Sequence, residues 1–473
     1  MQRTYIGDLS AKAGETVLIK GWVDVRRDQG KMVFFDFRDM TGTIQGVVLP
    51  TRPDVIEIAK TARPECVVAI EGIVNKRPDK NIVADKQNGG IELEVTAIAI
   101  LNNAEPLPFE INVDTKDVNE EVRLKYRYLD LRSSRVQKNI RSRDAVIKHI
   151  RDFLHSEKFI EVETPILTKS TPEGARDYIV PSRLYPGNFY ALPQSPQQYK
   201  QLLMAGGIER YFQIAKCMRD EDTRGDRQPE FTQLDIEMSF VERDDVMAVN
   251  EALLIDIVTK LFPEKKIQQI PFPRISYKDA IEKYNTDRPD LREDKNDPNT
   301  LAFCWVIDFP FFERTDKSDN AQTKGEWTFT HNPFSRPIET HMSNLMNKKD
   351  LGEILTTQYD VILNGYEIGG GSIRNHQYEA LAKVFEILGH KQEDIEANFG
   401  HMLHAFKTGT PPHGGIAWGL DRLMMLLLNE PNIREVIAFP KTGEGKDPMM
   451  DSPSPVSDKQ LGELHIVLKK SKE

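Results

Sequence analysis

Arg210–Phe240 reads RYFQIAKCMRDEDTRGDRQPEFTQLDIEMSF, two strand-like runs joined by a charged loop. In the second run Phe231, Gln233, Asp235 and Glu237 share one side and Thr232, Leu234, Ile236 and Met238 the other, the period-2 pattern of a sheet with one apolar face. An aromatic ring and three polar groups therefore project together, beside a loop holding Arg219, Arg224 and Arg227. A solvated sheet face has the same alternation. Carboxylates set beside arginines also suit a charged small molecule.

Other segments carry compatible chemistry. Ser195-Pro196-Gln197 opens a predicted helix, since Ser caps free amides and Pro suits a first helical position. Gln197 and Lys200 then lie three apart on one face, which is either solvated or turned to a polar ligand. Tyr359 to Ile368 reads as a strand ending in Gly369-Gly370-Gly371 and Ser372-Ile373-Arg374; the glycines permit close approach of a ligand, and the arginine offers a fork for a carboxylate. Asp360 and Glu367 are candidate magnesium ligands, but seven positions on one straight strand put them on opposite faces, so both serve only if a bulge near Asn364-Gly365 restores the register. Gly414 to Gly419 leads into Leu420-Asp421-Arg422, a strand-to-helix junction where the helix dipole and a guanidinium favour phosphate.

The first hundred residues read as five short strands with a helix near Val55 to Ala62, the makings of a small OB-type barrel. Phe34, Asp36 and Arg38 share one face of a strand and Phe35, Phe37 and Asp39 the other, with Arg26, Arg27 and Gln45 in neighbouring strands. The rings either fill the barrel or stack on unpaired bases. Asn102 to Thr115 looks like a hinge; a long amphipathic helix follows from about Val136 to Lys158, then a strand from Phe159 to Glu163, and Asn285 to Asn299 reads as a polar surface loop.

A chain of 473 residues suggests two to four domains. Three scattered cysteines suggest no disulfide framework and no thiolate zinc site, which fits a reducing, cytoplasmic setting. No apolar run is long enough to span a membrane, so none is expected as a partner. A formal charge of -10 argues against indiscriminate coating of nucleic acid, while leaving room for a local reading module.

In this order, and with TPEGARDY, QSPQQYKQLL, DRQPEFTQLD and GYEIGGGSIR between them, the segments resemble class II aminoacyl-tRNA synthetases, most closely the bacterial-type aspartyl branch. Phe159 to Pro165 looks like motif 1, Phe212 to Glu237 like motif 2, and Gly414 to Arg422 like motif 3. The resemblance implies an α+β chain: an OB-fold anticodon-binding domain at 1–105, a hinge at 106–132, and a catalytic domain at 133–473 built on an antiparallel sheet flanked by helices. It further implies ATP and Mg2+, L-aspartate and tRNA(Asp) as ligands, with tRNA(Asn) a possible second acceptor, and a homodimer formed through motif 1 around Pro165.

Roles follow position by position from that resemblance. Arg219 would bridge the amino acid's carboxylate and the α-phosphate. Asp220, Glu221, Gln228 and Phe231 would hold ATP, as would the junction Gly419, Leu420 and Asp421, with Arg422 on the γ-phosphate. Asp360 and Glu367 would hold magnesium. Glu173, Ser195, Gln197, Gln233 and Asp235 would surround the amino acid's backbone, Lys200 and Arg374 would receive its side-chain carboxylate, and His331 would close over it. Phe34, Gln45, Arg26 and Arg27 would read the anticodon. Three departures stand out: only a short loop, 285–300, occupies the place of the large bacterial insertion domain; Asn332 follows His331 where many relatives have a second histidine; and Gln29 occupies a barrel position that varies with tRNA discrimination.

Overall fold

Alternation in the N-terminal region closes a sheet on itself. In the computed structural model, which describes residues 1–170, 174–315 and 325–469, β1 (Thr16–Asp28), β2 (Val33–Asp39), β3 (Gly42–Val48), β4 (Val67–Lys76) and β5 (Ile91–Asn102) form a closed barrel in the order β1-β2-β3-β5-β4. Helix α1 (Pro53–Thr61), with proline in its first turn, joins β3 to β4. Phe35 and Phe37 point inward, fully buried and stacked with ring centroids 4.9 Å apart. Each such side chain stabilises by about 1.5–3 kcal/mol. Phe34, one position out of phase, stays outside and half-buried. The barrel-filling reading therefore holds for Phe35 and Phe37, and Phe34 is left on the outer face.

The chain divides into two units, Met1–Asp114 and Thr115–Glu473. In the second, β6 (Ile160–Glu161), β7 (Arg210–Met218), β8 (Glu230–Ser239), β9 (Arg274–Ser276), β10 (Phe303–Ile307), β11 (Tyr359–Leu363), β12 (Tyr366–Ile373) and β13 (His413–Gly419) form one eight-stranded sheet, ordered β9-β10-β11-β12-β13-β8-β7-β6. It is antiparallel except for the parallel outer pairs β9·β10 and β6·β7. Four helices matter here: α2 (Ser134–Ser156), α3 (Gln197–Ala205), α4 (Arg243–Leu261) and α5 (Leu420–Leu427). Leu234, Ile236 and Met238 of β8 join Val146 and Ile150 of α2, Leu253 and Ile257 of α4, and Leu423 of α5 in the main core. Gln233, Asp235 and Glu237, on the opposite side of β8, are left facing the site. No helix among the described residues is long and apolar enough to cross a membrane.

Three local readings change. Tyr359 to Ile368 is a hairpin rather than one strand: Asn364 and Gly365 both have positive φ, 50° and 85°, and turn the chain, as an Asn-Gly pair favours. The predicted strand Phe159 to Glu163 shrinks to Ile160–Glu161, paired only with β7 at the sheet edge. Helix α3 begins at Gln197 after Pro196, and Ser195 Oγ accepts a hydrogen bond from the Gln197 amide at 3.3 Å.

Candidate active site

Strand β8 sets the floor. At its buried end Lys200, from α3, contacts Asp235 Oδ1 and lies 3.2 Å from Glu237 Oε2. Arg374, just beyond β12, forks onto the same Glu237 carboxylate, Nε donating to Oε1 at 2.8 Å and Nη2 to Oε2 at 3.0 Å, while Nη1 donates to Ser372 Oγ. All four charged groups are at most 3% exposed. Burial would raise the Glu237 carboxyl, but Arg374 and Lys200 outweigh it and hold it down at about 2. For Asp235 burial wins over Lys200 and the carboxyl is raised; its Oδ2 has no hydrogen-bond partner among the described residues. His413 backs the cluster, held neutral by burial, which lowers it to about 4.

The other end of β8 opens into a cleft where Arg219, Glu221, Gln228, Phe231, Gln233, Glu367, Gly419 and Arg422 meet. The Arg219 guanidinium lies 5.1 Å from the centre of the Phe231 ring, a cation–π contact, and its Nε donates to the Gln194 carbonyl at 3.4 Å. Arg422 pairs with Asp226 at 3.0 Å and donates to the Glu367 carbonyl. Gln228 accepts from the Lys441 amide, and its buried Nε2 has no partner among the described residues. Asp421 also borders the cleft, but its carboxylate is taken by Arg143 at 2.5 Å and the Thr232 amide at 2.9 Å. Leu420 turns into the core, and Asp220 pairs outside the cleft with Arg176 at 3.5 Å.

The hairpin explains how Asp360 and Glu367 meet. Glu367 pairs with Ile362, two residues along from Asp360, so reversal of the chain alone brings the carboxylates to one face; the bulge, between Val361 and Ile362, falls elsewhere than expected. Burial and repulsion from Glu367 and Asp287 raise the Asp360 carboxyl well above its ordinary value, against the Gln358 hydrogen bond. Gly369 borders the cleft, while Gly370 and Gly371 lie against neighbouring strands and side chains. A Cβ at Gly370 would lie 2.6 Å from Asp360 Oδ1, and one at Gly371 2.1 Å from the Gly415 carbonyl. His331 is exposed, packed edge-on against Phe309 and within electrostatic reach of Glu367.

Ser195 lines a neighbouring cavity with Gln198, Tyr199 and His401, and Gln197 donates to Gln201 at 2.9 Å. Glu173 lies outside the described residues. In the barrel, Arg27 forks onto Asp36 at 2.9 and 3.0 Å beside Phe34, Gln45 accepts from Arg77 at 2.8 Å, and Arg26 turns to the Lys60 and Ala62 carbonyls at the end of α1. Two buried polar side chains beside these groups had no role in the sequence reading. Glu237 was visible by alternation. Gln358, beside Asp360, carried no signal.

The chain thus combines a sheet that carries a buried charge cluster towards one end of β8 and an arginine-lined cleft towards the other with, as a separate unit, a five-stranded barrel. Residues 119–443 match the family model described as tRNA synthetases class II (D, K and N), and residues 17–101 match that of the OB-fold nucleic acid binding domain. The chain belongs to the class II tRNA synthetases (D, K and N). It is 40% identical to an aspartate–tRNA(Asp/Asn) ligase of Rubrobacter xylanophilus, over 98% of this chain and 96% of the relative. It is 38% identical to an aspartate–tRNA ligase of Geobacillus kaustophilus, over 99% of each. The structure resembles that of asparaginyl-tRNA synthetase from Pyrococcus horikoshii complexed with asparaginyl-adenylate, with a TM-score of 0.75 at 23% identity, covering 93% of this chain and 98% of that one.

Proposed function

We propose that this chain activates L-aspartate with ATP, releasing pyrophosphate, and transfers the aspartyl group to the 3′ end of tRNA(Asp). The carrying observation is that Lys200 and Arg374 both reach one carboxylate, that of Glu237, so two cations already sit within the span of a single carboxylate. The spare donors of the ammonium and the guanidinium suit the side-chain carboxylate of the substrate. Asparagine would leave them unmatched, at a cost of about 3–5 kcal/mol when one partner of a buried pair is missing.

Asp235, whose Oδ2 has no partner among the described residues, takes the substrate ammonium together with Ser195, Gln197, Gln233 and Glu173. His331 closes over the amino acid. Arg219 bridges the substrate α-carboxylate and the α-phosphate, Phe231 stacks on adenine, Gln228 and Glu221 hold the nucleotide, and Arg422 grips the γ-phosphate at the mouth of α5. The α-carboxylate attacks the α-phosphorus, the bond to the β-phosphate oxygen breaks, and pyrophosphate leaves. The terminal ribose hydroxyl of the tRNA then attacks the adenylate's carbonyl carbon and AMP leaves. The arginines stabilise charge as it develops, which needs fixed donors and no side-chain nucleophile. Asp360 and Glu367, two mutually repelling carboxylates on one face, suit magnesium, which takes one or two carboxylates and completes its shell with phosphate oxygens. When bound, the ion supplies charge neutralisation to the phosphates.

Phe34 stacks on an anticodon base with Gln45, Arg26 and Arg27 nearby. A homodimer forms through motif 1, where Pro165 is flanked by exposed Ile160, Ile166 and Leu167. The loop 285–300 stands in place of the insertion domain. An alignment of 586 positions with the Rubrobacter relative, against a chain of 473 residues, leaves part of the relative without a counterpart here. A cytoplasmic location accompanies this reading, in keeping with three buried cysteines that form no disulfide. ATP–pyrophosphate exchange that requires aspartate is the expected result; exchange driven by asparagine or lysine would overturn the substrate. A second reading, charging of tRNA(Asn) as well, is favoured by the Asp/Asn name of the Rubrobacter relative. Purified tRNA(Asp) and tRNA(Asn) charged side by side decide it.

A further inference from the structure

Gln358 has partners on two parts of the site. It is buried, 4% exposed, and its Nε2 donates to Asp360 Oδ1 at 2.7 Å. With Nε2 donating to Asp360, Oε1 points the other way. There it accepts from Asn332 Nδ2 at 3.2 Å and Ser335 Oγ at 3.3 Å, both in the loop that carries His331. That orientation in turn aims Asn332 Oδ1 at the Phe334 amide, 3.0 Å away, and at Ser335 Oγ, 3.2 Å away, whose single proton it shares with Gln358 Oε1. The same loop lies along the segment bearing Arg374: Ser335 bridges to Arg374, and the Asn375 amide donates to the Phe334 carbonyl at 2.8 Å.

We propose that Gln358 is a positioning residue that, with Asn332, ties the loop bearing His331 to the carboxylate of Asp360, so that the amino acid and the nucleotide bind cooperatively. The inference rests on the reading of the site as an aspartate-activating centre. A ligand that fixes the Asp360 carboxylate also fixes the Gln358 amide, hence the loop, and by reciprocity an amino acid that closes the loop favours the nucleotide. The Tyr359 and Gly415 contacts of β11 do not involve this amide, so its loss should leave the sheet in place.

The test measures the aspartate dissociation constant calorimetrically, first without and then with a non-hydrolysable ATP analogue and magnesium. It uses the full chain, Gln358→Met, Asn332→Ala and the double variant. In the unaltered chain the nucleotide should tighten aspartate about fivefold or more, and in Gln358→Met the ratio should fall to near one. Because the two side chains act in series, the double variant should lose no more of the ratio than Gln358→Met alone. An unchanged ratio in a folded, exchange-active Gln358→Met, or losses that simply add, would overturn the relay and leave the functional reading intact. Failure of the unaltered chain to exchange pyrophosphate with aspartate would overturn both.

Discussion

Lys200 and Arg374 at one end of β8, and Arg219 and Arg422 at the other, are cations of one site in opposite settings. The first pair is buried and neutralised by Asp235 and Glu237 before any ligand arrives. The second stands in an open cleft, engaged by a ring face, carbonyl oxygens and a half-exposed Asp226. On the proposed function, the difference follows from what each end must do. A small dicarboxylic acid is told from its amide by charge, which needs a dry, pre-set environment where every unmatched group costs energy. A triphosphate is large and hydrated, and cations held in the open can take it with little rearrangement. The buried end should therefore carry stability as well as specificity, and the open end activity alone.

The sharpest way to break that contrast is Glu237→Ala. It leaves Arg374 and Lys200 buried without their shared carboxylate, and removal of one partner from a buried ion pair costs about 3–5 kcal/mol. The expected result is a fall of that size in unfolding free energy from urea titration. A loss below about 1 kcal/mol would show the cluster to be wetter than its burial implies. Acid should act in the same direction. Glu237 is held at about 2 and Glu435, paired with Arg123 and Arg135, also at about 2, both below the ordinary carboxylate value of 4.5. Their contribution is present above the unfolded value and is lost as pH falls from about 4.5 towards 2. Glu237→Gln should flatten that part of the stability profile.

At the open end the expectation inverts. Arg219→Ala should slow pyrophosphate exchange by about 10²–10³-fold, the scale for loss of one pre-set donor to developing charge. Its urea midpoint should barely move, by the few tenths of a kcal/mol usual for surface changes. A large stability loss in Arg219→Ala would erase the distinction between the two ends.

The contrast was only partly legible in the sequence. Alternation in Phe231 to Phe240 assigned Gln233, Asp235 and Glu237 to one face, because a strand's period is fixed by covalent geometry. The same rule misled at Asp360 and Glu367, where seven positions were counted along a straight strand. The Asn-Gly pair between them reverses the chain, and side chains paired across a hairpin share a face. Asp421 could not be read at all. Its partner Arg143 is 278 residues away, and no local pattern records which acid neutralises which base. The glycines 369–371 raised the same difficulty: the space they leave is filled by Asp360 and by β13, neighbours set by tertiary pairing.

The smallest expected effect concerns the barrel, and it carries the contrast to a second surface. Phe35 is fully buried and stacked on Phe37, while Phe34, one residue earlier, is half-exposed beside the Arg27–Asp36 pair. If buried groups hold the fold and exposed ones meet ligand, Phe34→Ala should leave the urea midpoint and pyrophosphate exchange unchanged. It should weaken tRNA charging by about 1–3 kcal/mol, the worth of one stacked base. Phe35→Ala should instead destabilise the barrel itself. Equal damage to exchange and charging in Phe34→Ala would mean that the ring supports the fold, and the exposed face of β2 would lose its reading role.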